Sequence, residues 1–379
     1  MRIEQKKWTQ PLGWTSGFPG SLAQSAQLVL LFGATAVLDR HGVLEQIRNA
    51  YPGAHILGCS TAGEICGVQV SDDSCVATAV YFEHTELRGG AIRLQEAKDS
   101  FQAGASLAQS LDHQGLAHVL VLSDGLAVNG SDLVKGLTQN LPASVTVTGG
   151  LAGDGDRFTK TVVFWDSVPE KDTIAILGLY GSRLKVGYGS MGGWDPFGPE
   201  RLITRSKGNV LYELDGQSAL DLYKKYLGEH AAGLPATGLL FPLSLRSSEG
   251  EAGVVRTILS VNEEDQSMIF AGDVCEGSYA RLMRANFDRL IDGASEAARI
   301  SHAAIGSTSP DLAILISCVG RKLVLRQRVE EEVEGVRQIL GDRTALTGFY
   351  SYGEVSPFTP GAKCELHNQT MTITTFVED

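Results

Sequence analysis

Two acidic turns, far apart in the chain, carry the residues best suited to chemistry. Ile56-Leu57-Gly58-Cys59-Ser60-Thr61-Ala62-Gly63-Glu64-Ile65 is echoed by Leu346-Thr347-Gly348-Phe349-Tyr350-Ser351-Tyr352-Gly353-Glu354-Val355. Both read glycine, four residues, Gly-Glu and a branched apolar residue. Glycine lets backbone approach a ligand closely and leaves N–H groups free to bind anions or carbonyls. Ser60 and Thr61 add hydroxyl donors, and Glu64 and Glu354 add carboxylates that bind an ammonium group or a polar donor. A third turn, Gly149-Gly150-Leu151-Ala152-Gly153-Asp154, is one residue shorter and ends on Asp154. If the turns pack around one centre, the three carboxylates converge. Paired carboxylates do acid–base work when burial splits their pKa values. They serve equally well to bind ligand amines or to satisfy internal hydrogen bonds, and spacing alone does not choose.

Other side chains offer narrower options. Tyr350 and Tyr352 flank Ser351 and share a face if the segment is extended. They either line a small ligand or pack in the core. His367, in Cys364-Glu365-Leu366-His367-Asn368-Gln369-Thr370-Met371, is either a metal or haem ligand or a structural hydrogen-bonding group. The remaining histidines (His41, His55, His84, His113, His118, His230, His302) have no H-x-x-x-H or H-x-H spacing, so a multi-histidine metal site lacks support. A haem needs only one axial protein ligand. Cys59 and Ser60 are candidate nucleophiles at a sharp turn, with Glu64 as a partner in a hydrolase. The segment is not G-x-S-x-G, and the alternative is an inert cysteine beside a turn serine. No Walker motif supports nucleotide binding.

These turns need elements to position them, and four segments share one pattern. Leu28-Val29-Leu30-Leu31-Phe32 reads as a strand. A helix follows with Val43, Leu44, Ile47 and Tyr51 on one face. It stops at Tyr51-Pro52-Gly53, and His55-Ile56-Leu57 returns as a strand into the Gly58 turn. The second segment runs from the strand His118–Leu122 to a helix capped at Asn129 with Leu133, Val134, Leu137 and Leu141 in register, then to Val145–Thr148. The third runs from Val210–Leu214 to a helix marked by Ala219, Leu220, Tyr223 and Leu227. It returns over Thr237–Phe241 without an acidic turn. The fourth runs from Leu312–Ile316 to a helix marked by Val329, Val333, Val336 and Leu340, and returns over Thr344–Leu346. Antiparallel-looking strands lie between, at Cys75–Phe82, Thr161–Trp165, Ile174–Tyr180 and Val254–Val261. A long amphipathic helix is expected from Tyr279 to Ile300, with Met283, Phe287, Leu290, Ile291 and Ala294 toward the core. The pattern predicts an α/β fold of two pseudo-repeated halves with mixed sheets and a site between them. The halves are residues 26–208 and 209–379, divided near Lys207-Gly208-Asn209.

The 379 residues allow two domains, and 43% hydrophobic with 20% charged residues is an ordinary globular balance. A net charge of −12 argues against a nucleic-acid partner, which needs a basic face. Met1–Trp8 has no apolar core of a secretory signal, and Leu28–Leu38 is about half of the ~20 residues a membrane span requires. The six cysteines show no C-x-x-C pair, so zinc and a disulfide framework are not expected and a cytoplasmic location is.

Taken together, the turns resemble the FIST family of bacterial sensory modules. The matching residues are Gly58-Cys59-Ser60-Thr61-Ala62-Gly63-Glu64 and Gly149-Gly150-x-Ala152-Gly153-Asp154. Further on they are Tyr212-Glu213-x-Asp215-Gly216 with Ala219-Leu220-Asp221-x-Tyr223, then Cys318-x-Gly320-Arg321. The last are Gly348-Phe349-Tyr350-Ser351-Tyr352-Gly353-Glu354 and Leu366-His367-Asn368-Gln369-Thr370. The resemblance implies an N-terminal and a C-terminal FIST part and a small-ligand sensor rather than a catalyst. It implies amino acids or related metabolites as ligands or, as in some stand-alone members, haem used to sense nitric oxide. The signal then passes in trans to a histidine kinase or a cyclic-di-GMP enzyme. Within that reading the ligand lies between the halves, at the turns of Gly58, Gly149 and Gly348. Arg321 either holds an anionic group such as a haem propionate or pairs with a local acid.

Overall fold

The computed structural model describes residues 1–40, 42–247, 253–306, 308–358 and 361–379, so His41 lies outside the described residues. Three strand–helix–strand units build its centre. The first comprises β1 (Leu28–Gly33), α1 (Val43–Ala50), β2 (His55–Ser60), β3 (Glu64–Cys66) and β4 (Ser74–Tyr81). The second comprises β5 (Leu116–Ser123), α2 (Gly130–Asn140), β6 (Thr146–Leu151), β7 (Val163–Trp165) and β8 (Thr173–Tyr180). The third comprises β9 (Leu312–Cys318), α3 (Val329–Leu340), β10 (Ala345–Ser351), β11 (Gly353–Pro357) and β12 (Met371–Glu378). In each, the first strand pairs in parallel with the return strand and antiparallel with the last strand.

Alternation along the first strands explains how the three layers close on one core. Leu30 and Phe32 of β1, Leu120 and Leu122 of β5, and Ile314 and Ile316 of β9 meet in one buried cluster. The intervening residues face outward onto helices: Val29 and Leu31 onto α1, Val119 and Val121 onto α2, Ala313 and Leu315 toward α3. Burial on both faces is why these strands read as unbroken apolar runs. Asn129 caps α2 as its sequence predicts, accepting from the N–H groups of Ser131 and Asp132.

The α/β class and mixed sheets agree with the sequence, and four expectations need correction. The segment from Val210 is not a fourth unit. Val210–Leu214 is an antiparallel strand of a separate eight-stranded sheet, and the expected return strand is a 3-10 turn, Ala236–Leu240. The helix expected from Tyr279 divides. Tyr279–Ala285 pairs as a strand with Trp194–Lys207, and Asn286 then caps a helix over Phe287–Ala304 by accepting from the Arg289 N–H. Val254–Val261 likewise splits into Val254–Arg256 and Ile258–Asn262. The proposed division at Lys207-Gly208-Asn209 is the turn of a hairpin in that extra sheet, where Lys207 pairs with Val210. A physical boundary there cuts a hairpin.

The sequence also contains Gly187-x-Gly189-x-x-Gly192, in the form of a dinucleotide fingerprint. It lies along the antiparallel strand Leu184–Met191, under the helix Phe287–Ala304, not at a strand-to-helix turn. There a Cβ on Gly187 or Gly189 meets the Ser301 or Ala297 carbonyl at 2.0 and 2.4 Å. These glycines serve close packing.

Candidate functional site

Each unit passes the strand after its turn to the sheet of another unit. β3 pairs with β10, β11 with β6, and β7 with β2, all antiparallel. The exchange is cyclic, and its register is the same each time. Ile65 stands opposite Gly348, Val355 opposite Gly149, and Phe164 opposite Gly58. Gly58, Gly149 and Gly348 are therefore equivalent, and their role is close packing rather than ligand approach. A Cβ at these positions lies 2.3, 1.8 and 1.8 Å from the carbonyl oxygens of Leu31, Val121 and Leu315. Gly150, opposite Glu354, is crowded instead by a side chain, with a Cβ there 2.7 Å from Ile316 Cγ2.

The register also separates the three acids. Glu64 stands opposite Phe349 and Glu354 opposite Gly150. The corresponding slot in the second unit holds Val163, opposite Cys59. Asp154 lies earlier, in the loop before β7, so it is not the counterpart its Gly-Asp spelling predicts.

Glu64 and Glu354 have matching surroundings. Glu64 accepts from Thr61 Oγ1 at 2.5 Å, Ser74 Oγ at 2.6 Å and the Ser74 N–H at 3.2 Å. Glu354 accepts from Ser351 Oγ at 2.5 Å, Thr370 Oγ1 at 2.9 Å and the Thr370 N–H at 3.1 Å. Each glutamate thus ties its turn to the start of the unit's last strand. Burial pushes the Glu64 carboxyl up to about 7, with Ser74 and Thr61 opposing, Asp72 adding and Lys322 opposing. Burial pushes Glu354 up to about 8 against the same kind of hydroxyl and N–H donors. For Asp154 burial also raises the carboxyl, but hydrogen bonds from Arg157, Thr159 and Thr35 outweigh it and hold it below the usual range.

Only two of the expected residues, Thr61 and Glu64, wall a sizeable cleft. Its volume is about 660 Å³. One side is the turn Thr61–Glu64, the pair Asp72 and Asp73, and the loop Gly155–Arg157. The other is the 3-10 turn Ala236–Leu240 and the short helix Val319–Leu325 with Arg326. Lys322 reaches across, donating to the Ala62 carbonyl at 2.8 Å and contacting the Asp72 carboxylate. Gly63 makes this crossing possible: at φ +137, a Cβ there sits 2.6 Å from Lys322 Nζ. Arg326, Asp73 and Asp156 are exposed on the cleft wall, without an ion pair among the described residues.

Lys322, Arg326, Asp72 and Asp73 were missed in the sequence. Lys322 follows Arg321 on a helix, and adjacent helical residues point in different directions. Arg321 turns inward and is wholly buried. It pairs with Glu332 at 2.8 Å and donates to the carbonyls of Gly192 and Leu290. Of its two expected roles the structure places it in the internal pair, which leaves it off the cleft wall. Asp72-Asp73 carried a signal, a tight acidic turn between Gln69–Ser71 and Ser74–Tyr81, with Asp73 at φ 50.

The other candidates are internal as well. The Tyr350 hydroxyl donates to Glu332 at 2.6 Å, whereas that of Tyr352 donates to the Gly155 carbonyl and its ring stacks on Phe158. The two phenols go to different partners and do not form one ligand platform. Ser60 Oγ accepts from the Val162 N–H at 2.9 Å, and burial pushes the Cys59 thiol well up. Neither residue walls the cleft, so the hydrolase reading loses its nucleophiles.

His367 is 1% exposed, and its Nε2 donates to the Ser356 carbonyl at 2.7 Å. Burial lowers its pKa to about 4, so the ring is neutral at pH 7. Among the described residues Nδ1 has no hydrogen-bond partner. A free lone pair on one nitrogen, with the other N–H fixed on a carbonyl, fits an axial metal ligand. Room is the obstacle: Phe358 packs edge-on at 4.2 Å and His367 walls neither large cavity. Among the described residues no three His, Cys, Asp or Glu side chains group as a metal site. No helix among them is long and apolar enough to cross a membrane.

Two family descriptions match the chain, the FIST N domain over residues 27–217 and the FIST C domain over 219–357. An uncharacterized protein of Methanocaldococcus jannaschii is 22% identical over 292 residues, 69% of this chain and 55% of its own length. The chain thus spans about half of that relative. Among solved structures, a cyanuric acid hydrolase covers 100% of this chain and 99% of its own at 9% identity, with a TM-score of 0.33. A second, from A. caulinodans, covers 78% and 99% at 9% identity, with a TM-score of 0.19. At those scores the likeness decides nothing about chemistry.

Proposed function

The chain belongs to the FIST family, whose domains are small-ligand sensory modules of signal transduction, and from that premise we propose that it senses a small zwitterion such as an amino acid, bound in the cleft of Thr61, Glu64 and Lys322. The observation that supports this most is the presence of both charge signs on facing walls of that cleft. Arg326, on the same wall as Lys322, suits a carboxylate. Asp73 and Asp156 suit an ammonium group. The Thr61–Gly63 backbone lies on the same wall as Asp73 and Asp156.

One wall belongs to the FIST N region and the other to the FIST C region, since the cleft takes residues from Ala34 to Arg157 and from Ala236 to Arg326. A ligand touching both favours the arrangement that brings them together, by its differential affinity. Moving a population from mostly open to mostly closed takes about 5.5 kcal/mol of preference. Two or three charge-assisted hydrogen bonds of roughly 1.5–3 kcal/mol each supply it. The output passes in trans to a separate effector, a histidine kinase or a cyclic-di-GMP enzyme, in the cytoplasm. A thermal-shift screen of the protein against amino acids and their metabolites tests the reading. Stabilisation by at least one zwitterion is expected, because a ligand that binds only the folded state raises its stability. A flat response across the panel at millimolar concentration contradicts it.

A second reading, haem at His367 for nitric oxide sensing, is favoured by the unclaimed Nδ1 lone pair. Bound there, haem supplies the iron that takes up the gas. The chain's own part is to hold the imidazole neutral and fixed through Ser356, and Phe358 has to move aside. Stoichiometric uptake of hemin with a Soret band that His367→Ala removes supports this reading. Uptake indifferent to that substitution, or none, counts against it.

A further inference from the structure

A second cavity, of about 750 Å³, lies away from the central cleft and shares no residue with it. It opens where α2 and β6 meet the strand Cys364–His367 and the extra-sheet strands Leu243–Arg246 and Val254–Arg256. Its volume is that of an ordinary small-molecule site.

Arg256 sets this cavity apart. It is 8% exposed and lines the wall. Its Nε donates to the Asp273 carbonyl at 3.2 Å and its Nη1 to the Leu366 carbonyl at 2.8 Å. Among the described residues no carboxylate lies within ion-pair distance of it. The nearest acids are already committed or outward-facing: Asp273 pairs with Lys135, and Glu365 is exposed. Arg321, the other deeply buried arginine, has Glu332 against it. Among the described residues its hydrogen bonds go to main-chain oxygens alone, and Glu365 and Asp273 act on it only from beyond ion-pair distance. A buried guanidinium so placed is costly, and an anion brought to it recovers part of that cost. Burial lowers the Arg256 pKa, against an opposing pull from Glu365, Asp273 and Cys275. Lys363 adds an exposed positive charge at the rim. The rest of the wall is mixed: Val134, Leu141, Val147, Leu245 and Leu366 give it an apolar stretch, and Asp273 and Glu365 stand among its polar residues.

We propose that this cavity is a second ligand site, taking an organic anion whose carboxylate or phosphate meets Arg256 and whose apolar body lies against Val134, Val147 and Leu366. The site is distinct from the central cleft and does not rest on the zwitterion reading. It needs no metal.

Titration calorimetry of the full chain with benzoate, octanoate and phenyl phosphate, each beside benzamide or octanamide as the neutral control, tests it. At least one anion binds with 1:1 stoichiometry, at least tenfold more tightly than the neutral amides. Arg256→Met lowers that affinity at least tenfold. Thr138→Trp does the same by filling the cavity from an exposed position on α2, where folding is not at stake. Three results overturn the proposal: no heat from any of the three anions, equal binding of anions and amides, or anion binding that survives Thr138→Trp unchanged.

Discussion

Glu64 and Glu354 occupy the same place in two successive strand exchanges, each one residue before the branched apolar residue that faces a glycine of the next return strand. The duplicated turn is thus a device for interlocking units. Its carboxylate knots the turn to the unit's last strand, through Ser74 in one case and Thr370 in the other. Only Glu64 also borders a cleft.

Both glutamates make stability fall with pH. Their folded pKa values, about 7 and about 8, lie above the ordinary value of 4.5. The folded state therefore holds more protons than the unfolded state between those values, and stability declines as pH rises through that window. The contribution is full below pH about 4.5 and lost above about 8. Below pH 6.5 the buried His118 and His367, lowered to about 3 and about 4, offset this trend, so denaturant melts should show the decline from pH 6.5 to 8, and Glu64→Gln with Glu354→Gln should flatten it. A profile that rises from pH 6.5 to 8, unaltered by both substitutions, contradicts the burial argument.

The Arg321–Glu332 pair is wholly buried and shared with Tyr350 and Ser317. Removing one partner strands a charge, so Arg321→Met should cost about 3–5 kcal/mol of stability. Urea unfolding measures it. A loss below about 1 kcal/mol would place Arg321 in solvent.

Gly348→Ala sets a methyl carbon 1.8 Å from the Leu315 carbonyl oxygen at φ +159, where neither strand can yield without breaking the ladder. Gly53→Ala meets nothing within 4 Å. The first should lower yield of folded protein sharply, and the second should leave the melting temperature within a few degrees. Equal behaviour of the two variants contradicts the close-packing role.

Strand and helix faces were legible because both signals are local. The unbroken apolar runs at Leu28 and Leu312 and the Asn129 cap fold as their periodicity requires. The extra sheet was not legible, because Tyr279–Ala285 has helix-compatible spacing and becomes a strand only through pairing with Trp194–Lys207. The exchanges were half legible. The repeat announced equivalence of Glu64 and Glu354, but which sheet each strand joins is a long-range choice. The Gly-Asp spelling of Asp154 concealed that Val163 fills the register slot. At the site, spelling favoured Arg321, whereas the neighbour Lys322 faces the cleft.

The central claim is that the cleft reads opposite charges on one small molecule. Calorimetric titration of the amino acid that most stabilises the protein tests it, against its decarboxylated and deaminated analogues, on native protein and on Arg326→Ala and Asp73→Asn. Removing the ligand carboxylate or Arg326 should each cost at least tenfold in affinity, with little further loss when combined, and the amine should pair with Asp73 in the same way. Tight binding indifferent to Arg326, Asp73 and both ligand charges would contradict the account.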